Sequence, residues 1–520
     1  MSVGDTPGKF LQLCTLVEAR TCTFAGPTSA CCPTNAHARG KGGGEGALSV
    51  PAVVIAAPAS GSGKTTVATG LVGALRRAGH TVAPFKVGPD YIDPGYHTLA
   101  ARRPGRNLDP VLVGEQLIGP LYRHGTAGAD VAVVEGVMGL FDGRIDERAH
   151  ARGSTAHVAG LLGAPVILVV DARGQSQSIA ALLHGFSTFD PTVRVAGVIL
   201  NRVGSGRHEE VLRQACAYSG VTVLGAIPRH TGLVVPSRHL GLVTTAEHGA
   251  LAHKAVDAMT ELVAAHVDVH AVVAVAASTV TAAAWEPSVD STPAPVTVAM
   301  AGGKAFTFGY AEHTELLAAA GADVVVFDPL TDPLPTDTDA LVLPGGFPEQ
   351  FTAELAANDV ARQQVRKLAG GGAPVHAECA GLTYLVDELD GHPMCGVLSG
   401  SARFTDHLTL GYRDAVAVAD SSVHAGGERA TGHEFHRTTV EFNDSYPPAW
   451  VYKGHTTTVR DGAVHKGVHA SYLHTHPAAS PEAAARFVAH AAASRLAPMS
   501  RLREEDRTPM SRLCEEDLAP

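Results

Sequence analysis

Val53-Val-Ile-Ala-Ala57 runs straight into Pro58-Ala-Ser-Gly-Ser-Gly-Lys-Thr-Thr66, and Val67–Ala78 follows with helical composition. A buried-type strand, a Gly-rich loop and a helix in that order form a strand–loop–helix unit. Backbone N–H groups of such a loop and of the helix N-terminus point at one spot, where an anion is stabilised. Gly61, Ser62, Gly63, Lys64, Thr65 and Thr66 are expected to cradle nucleotide phosphates, with Lys64 reaching the β- and γ-phosphates and the Thr65 hydroxyl on Mg²⁺. Such loops usually open on Gly; here Pro58 stands there. The plain alternative is a Gly-rich turn carrying a surface lysine.

Outward from this loop, Val131-Ala-Val-Val-Glu135 is an apolar strand ending in an acid, followed by Gly136-Val-Met-Gly-Leu-Phe-Asp142. An acid at a strand's carboxyl end sits where open α/β sheets bind ligands, so Glu135 is expected to complete the magnesium site. Phe85-Lys-Val-Gly-Pro-Asp-Tyr-Ile-Asp-Pro-Gly-Tyr-His97 lies between the two. Lys86 is expected to stabilise phosphate charge in the transition state. Asp90 and Asp93 would hold metal or orient the group attacking the γ-phosphate; an Asp-Pro turn cluster is the alternative. Asn201, closing Gly197-Val-Ile-Leu-Asn201, is expected to read the nucleotide base.

Apolar strand candidates (52–57, 131–135, 166–171, 195–201) alternate with Ala/Leu-rich helical stretches to about residue 250, which indicates an α/β domain on a parallel sheet. Residues 266–295, closing in Pro287-Ser-Val-Asp-Ser-Thr-Pro-Ala-Pro295, have linker composition. A second α/β pattern occupies 296–493, with strand candidates 296–301, 323–327, 340–343 and 374–377. The expected organisation is therefore a leader 1–46, a first domain 47–265, a linker, a second domain and a charged tail 494–520. That tail repeats Pro498-Met-Ser-Arg-Leu and Pro509-Met-Ser-Arg-Leu, too few copies for a solenoid.

Composition narrows the class. With 45% hydrophobic residues in a chain of 520, wholesale disorder is excluded. Forty basic against 51 acidic residues give −11, which argues against nucleic acid as a partner. The longest apolar stretch, near Ala271–Ala284, is too short to suggest a membrane span. Cys14, Cys22, Cys31 and Cys32 crowd the leader without zinc spacing, and no basic segment leads into an apolar run there. A cytoplasmic chain with reduced thiols is expected.

The second domain carries its own constellation. Pro374-Val-His-Ala-Glu-Cys379-Ala-Gly-Leu382 reads as strand, Cys, Gly, helix. Cys379 is expected to be exposed on a tight turn, its pKa lowered by the helix N-terminus. The base would come from farther along: His474 in Gly467-Val-His-Ala-Ser-Tyr-Leu-His-Thr-His476. Leu343-Pro-Gly-Gly-Phe-Pro-Glu349 would offer oxyanion-loop N–H groups at Gly345 and Gly346. Taken alone, Cys379 reads as a buried structural thiol, and among 27 histidines His474 means nothing outside its context.

Together these segments resemble the cobyrinic and hydrogenobyrinic acid a,c-diamide synthase family. The resemblance rests on 57–66, 86–93, 135–142, 345–349, Glu378-Cys-Ala-Gly-Leu382, Thr431-Gly-His-Glu-Phe-His436 and Ser471-Tyr-Leu-His474, and covers about 50–490. It implies a P-loop, dethiobiotin-synthetase-like parallel-sheet domain joined to a class I glutamine amidotransferase-like α/β domain. ATP and Mg²⁺ would activate a corrinoid carboxylate as an acyl phosphate, and glutamine hydrolysis at Cys379, with His474 activating the thiol, would supply ammonia. Class I amidotransferases usually carry an acid two residues after the histidine; here it is His476, so a Cys–His pair is assigned. Ala380 for Gly, and Pro344 before only two glycines, are smaller departures. The implied partners are small molecules (corrinoid, glutamine, ATP), and a homodimer is left open. Cobyric acid synthase, a P-loop ATPase switch with an inert second domain, and a corrinoid sensor are the rival readings. The Ala/Val/Gly-rich composition resembles that of high-GC, often aerobic, lineages, so the cobalt-free corrinoid is the expected substrate.

Overall fold

The computed structural model describes residues 49–145, 151–229, 237–238, 241–292, 295–454 and 456–505. The leader cysteines and the second tail copy lie outside them. The first lobe runs β1 (Ala52–Ala56), α1 (Lys64–Arg77), β2 (Val82–Val87), α2 (Asp93–Ala101), β3 (Arg106–Leu108), α3 (Glu115–Gly125), β4 (Val131–Glu135), α4 (Thr155–Leu162), β5 (Val166–Asp171), α5 (Ile179–Thr188), β6 (Val195–Val203), α6 (Gly206–Tyr218) and β7 (Val223–Pro228). A two-strand ribbon, β8 (Ser237–Arg238) with β9 (Gly241–Leu242), precedes α7 (Thr245–His248), α8 (Ala250–His266) and α9 (Val269–Val275). Seven strands pair in the order β3-β2-β4-β1-β5-β6-β7, all parallel.

Every residue of central β1 has no accessible surface. Its side chains alternate: Ala52, Val54 and Ala56 join one core cluster, Val53 and Ile55 another. Helices cover both faces, which is why the run is continuously apolar. Burying a Val or Ile side chain stabilises by roughly 1.5–3 kcal/mol. On one face α1 lies so close to α8 that a Cβ at Gly70 would stand 2.4 Å from the Met259 carbonyl oxygen.

The expected linker, 266–295, is not free chain. It holds α9, bridges Ala277 to Ala52, and buries Val272, Val280 and Trp285. The Pro/Ser/Thr composition masked these spaced apolar anchors.

The second lobe runs β10 (Val296–Ala301), α10 (Ala311–Ala319), β11 (Ala322–Phe327), β12 (Ala340–Leu343), α11 (Thr352–Ala357), α12 (Asp359–Gly370), β13 (Val375–Glu378), α13 (Ala380–Leu385), β14 (Glu388–Leu389), β15 (His392–Pro393), β16 (Gly400–Ala417), β17 (Arg429–Phe442), β18 (Trp450–Lys453), β19 (Thr458–Asp461), β20 (Ala463–His465), β21 (Val468–Ser471), β22 (His474–Thr475) and α14 (Pro481–Glu505). One sheet, β11-β10-β12-β13-β21-β20, is parallel but for the β20–β21 hairpin. A second sheet, β15-β14-β16-β17-β22, is built on the long antiparallel β16–β17 pair. α14 runs on through the first tail copy.

The close α1–α8 contact gives a direct expectation. Gly70→Ala should destabilise the chain by about 1–3 kcal/mol through overpacking. Gly160→Ala, in α4 with nothing within 4 Å of the new Cβ, should be neutral or stabilise by up to about 1 kcal/mol. Urea midpoints of the two variants check both.

Candidate active sites

Gly61 and Gly63 have φ of 78° and 97°, a left-handed conformation that glycine adopts without strain. α1 starts at Lys64 with no side-chain cap, so its first N–H groups face the loop's concavity. Ser62 Oγ donates to Ala59 O at 2.9 Å and Thr66 sits half-buried on the first turn. Asn201 Nδ2 donates to Ser62 O at 2.9 Å, while its Oδ1 accepts from Arg202 N. Both polar ends of Asn201 are thus engaged by the loop and its own strand.

Parallel register brings the chemistry together: Lys86 on β2 pairs with Glu135 on β4. Lys86 Nζ lies 2.6 Å from Asp93 Oδ2, 3.0 Å from Glu135 Oε1 and 3.9 Å from Asp90 Oδ2. Thr65 Oγ1 donates to Glu135 Oε1 at 2.6 Å and lies 3.2 Å from Asp93 Oδ2, and His97 Nε2 stands 2.7 Å from Glu135 Oε2. Lys64 Nζ donates to Met138 O at 2.5 Å. Burial opposes the charge of Lys86, but Asp93, Glu135 and Asp90 raise its pKa. Burial likewise opposes ionisation of Glu135, and Lys86 and His97 lower its pKa all the same. Burial and the Asp90 charge push Asp93 up. Asp90 Oδ1 also accepts from the backbone N–H of Ile92 and Asp93, fixing the turn into α2.

The Thr65 hydroxyl and the Asp93 and Glu135 carboxylates are an all-oxygen donor set, which suits Mg²⁺. Among the described residues no group of three or more His, Cys, Asp or Glu stands in a metal-holding arrangement. A magnesium site of the P-loop kind needs fewer, because phosphate and water complete the shell.

In the second lobe Cys379 sits between β13 and α13 at φ 51° and ψ −98°, a strained elbow of the kind found at nucleophiles. Two expectations are corrected. Cys379 is buried, not exposed, and burial pushes its thiol far above the ordinary range, with Glu349 adding to the effect. The Ala380 and Gly346 N–H groups pull the other way and are outweighed. Gly345 and Gly346 follow β12; a Cβ at Gly345 would meet His474 Cε1 at 2.3 Å, and one at Gly346 would meet Ala305 O at 2.0 Å. These glycines are required by close packing, next to the thiol and the histidine. Cys379 lines a cavity of about 10 Å³ with Gly346, Glu349 and Phe435.

His474 on β22 is fully buried. Among the described residues neither ring nitrogen has a hydrogen-bond partner, so no Cys379–His474 bond is made in this structure. The residue the sequence reading passed over is Glu378, whose Oε2 stands 3.5 Å from His474 Nδ1. It is adjacent to the nucleophile in sequence, and only strand order reveals that it faces His474. The two sites also touch: Tyr91, between Asp90 and Asp93, lies 5.2 Å from the His474 ring and stacks on Phe308 at 5.0 Å.

Fold and sites together define a P-loop nucleotide-binding lobe joined to a glutamine amidotransferase lobe. Residues 53–243 match the family model "CobQ/CobB/MinD/ParA nucleotide binding domain", and 297–482 match "CobB/CobQ-like glutamine amidotransferase domain". The chain is 71% identical over 451 residues to hydrogenobyrinate a,c-diamide synthase of Mycobacterium tuberculosis, covering 86% of this chain and 99% of the relative. It is 55% identical to the Streptomyces coelicolor protein of the same name (84% and 97% covered) and 41% identical to cobyrinate a,c-diamide synthase of Gloeobacter violaceus (84% and 96%). The chain belongs to the hydrogenobyrinate and cobyrinate a,c-diamide synthase family. No helix among the described residues is long and apolar enough to cross a membrane.

The buried histidines of the second lobe set an acid limit. Burial lowers His376 and His476 from 6.5 to about 4. Between those values the unfolded chain binds more protons than the folded one, so stability rises with pH. It should be complete above about 6.5 and fall as pH drops towards 4. Asp109 and Asp461, pushed up by burial to about 6 and about 7, contribute with the opposite sign in this window, so the check is a difference: between pH 7.5 and 4.5 the urea midpoint of His476→Gln should lose less, or gain more, than that of the parent.

Proposed function

We propose that the chain uses ATP and glutamine to convert two carboxylates of hydrogenobyrinate, the a- and c-acetates, into amides. The carrying observation is the convergence of Lys64, Thr65, Lys86, Asp93 and Glu135 at the carboxyl ends of β1, β2 and β4. Phosphoryl transfer asks mainly for positioning and charge stabilisation, which this cluster supplies. A substrate carboxylate oxygen attacks the γ-phosphorus, ADP leaves, and an acyl phosphate forms. Lys64 and Lys86 offset charge on the transferring group. Mg²⁺, held by Thr65 and Glu135 with Asp93 close by, would neutralise phosphate oxygens. Asp90 shapes the loop that presents these groups, and Asn201 steadies the phosphate loop beside the nucleotide.

In the second lobe the Cys379 sulfur attacks the glutamine amide carbon, with Gly345 and Gly346 at the oxyanion. Ammonia leaves, water hydrolyses the thioester, and ammonia displaces phosphate from the acyl phosphate. The cavity beside Cys379 holds about one water, so glutamine requires it to open. The preference for the cobalt-free substrate is supported by the higher identity to relatives named for hydrogenobyrinate.

Supplying glutamine, Mg²⁺-ATP and either corrinoid diacid, and following product mass, tests the reading. Two successive O-for-NH exchanges are expected with hydrogenobyrinate. Cys379→Ala should abolish them with glutamine and leave them intact with ammonia. Lys64→Ala should slow both reactions by about 100-fold or more. Activity on the a,c-diamide but not on the diacid would overturn this reading in favour of amidation at other carboxylates, and ATP turnover without glutaminase activity would favour a switch protein.

A further inference from the structure

We propose that Glu378 is the residue that orients the His474 imidazole, taking the part of the acid that position 476 lacks. The assignment rests on the Cys379–His474 glutaminase reading above.

At position 476 stands a buried histidine whose Nδ1 accepts from the Ala478 N–H and whose ring packs on Tyr310 at 4.2 Å. It has no carboxylate to offer. Glu378 does, and the sheet aims it. Glu378 pairs with Ser471 across β13 and β21, three residues before His474. Its Oε1 accepts from Thr475 N at 3.1 Å and from Thr475 Oγ1 at 3.2 Å. That anchor leaves Oε2 towards His474 Nδ1 at 3.5 Å. His474 is fully buried with both ring nitrogens unbonded. A buried polar group without a partner destabilises the fold, so the ring is poised to take one. A small approach of Oε2 closes a bond to an Nδ1–H and leaves Nε2 to accept a proton.

The charges fit this role. Burial opposes ionisation of Glu378, yet His474, His376 and the Thr475 N–H hold its carboxyl down to about 2. His376 also faces it, at 3.6 Å, but burial keeps that ring neutral near neutral pH. His313 on α10 is lowered by burial too. His433 on β17, Tyr91 from the first lobe and Cys379 with Glu349 lie around the pair, and His424, His469, His476 and Tyr310 also feel the Glu378 charge. The carboxylate is thus placed to stabilise an imidazolium on His474. That cation forms as the Cys379 thiol proton moves to Nε2 and sulfur bonds to the amide carbon. The proton leaves on ammonia as the C–N bond breaks.

The test uses the full chain and three variants. E378Q keeps an oxygen for Thr475 but loses the charge. It should lower kcat of glutamine hydrolysis by about 100-fold, with KM for glutamine and ammonia-dependent amidation unchanged. E378D should recover part of the rate. T475V, which removes only the hydroxyl donor, should stay within about threefold of the parent. Glutaminase activity retained in E378Q, or an equal loss in T475V, overturns the assignment. Should E378Q lose the ammonia reaction as well, an E378D that keeps the ammonia reaction but recovers no glutaminase rate overturns it. A parent chain that hydrolyses no glutamine overturns the Cys379–His474 reading itself.

Discussion

The buried Lys86 ammonium, clasped by Asp93 and Glu135, is the interaction from which the rest of the first site follows. An isolated ammonium taken out of water would cost several kcal/mol, so it must bring its counter-ions with it. Glu135 arrives because β2 and β4 run parallel and in register. Asp93 arrives because Asp90 turns the chain into α2 just after β2. Thr65 and His97 then satisfy the remaining carboxylate lone pairs. The Gly-rich loop can approach this cluster only because Gly61 and Gly63 adopt positive φ.

The same loop that supplies Asp90 and Asp93 carries Tyr91 across to the second lobe. There it stacks on Phe308 and lies against His474. Arg106 pairs with Glu312 at 2.6 Å and with Glu315, and the Tyr412 hydroxyl donates to Asp109 at 2.8 Å. The acids that line the phosphate site and the ring that would activate the thiol therefore sit on one continuous packed path.

Much of this was legible in the chain. The P-loop shows because glycine, lysine and threonine at that spacing serve one electrostatic purpose. Strands 131–135, 166–171, 296–301 and 340–343 appear where the apolar runs placed them, since strands buried on both faces read as unbroken hydrophobic segments. β16 and β17 did not show. Most of β16 is half-exposed or exposed, so its pattern lacks the apolar signal that betrays a buried strand. The strap through α9 was hidden by its Pro/Ser/Thr surroundings. The Cys379 environment was misjudged because helix-terminus reasoning is local, whereas desolvation depends on everything packed around the thiol.

The sequence by itself determined the two lobes, the phosphate loop and the position of the nucleophile, because each is written in contiguous residues with one physical purpose. Tertiary structure alone decided how buried Cys379 is, where Lys86 finds its acids and which carboxylate meets His474. Those depend on strand order and register, which bring Glu378 and His474 within 3.5 Å across most of a hundred residues of chain. No local pattern encodes that approach.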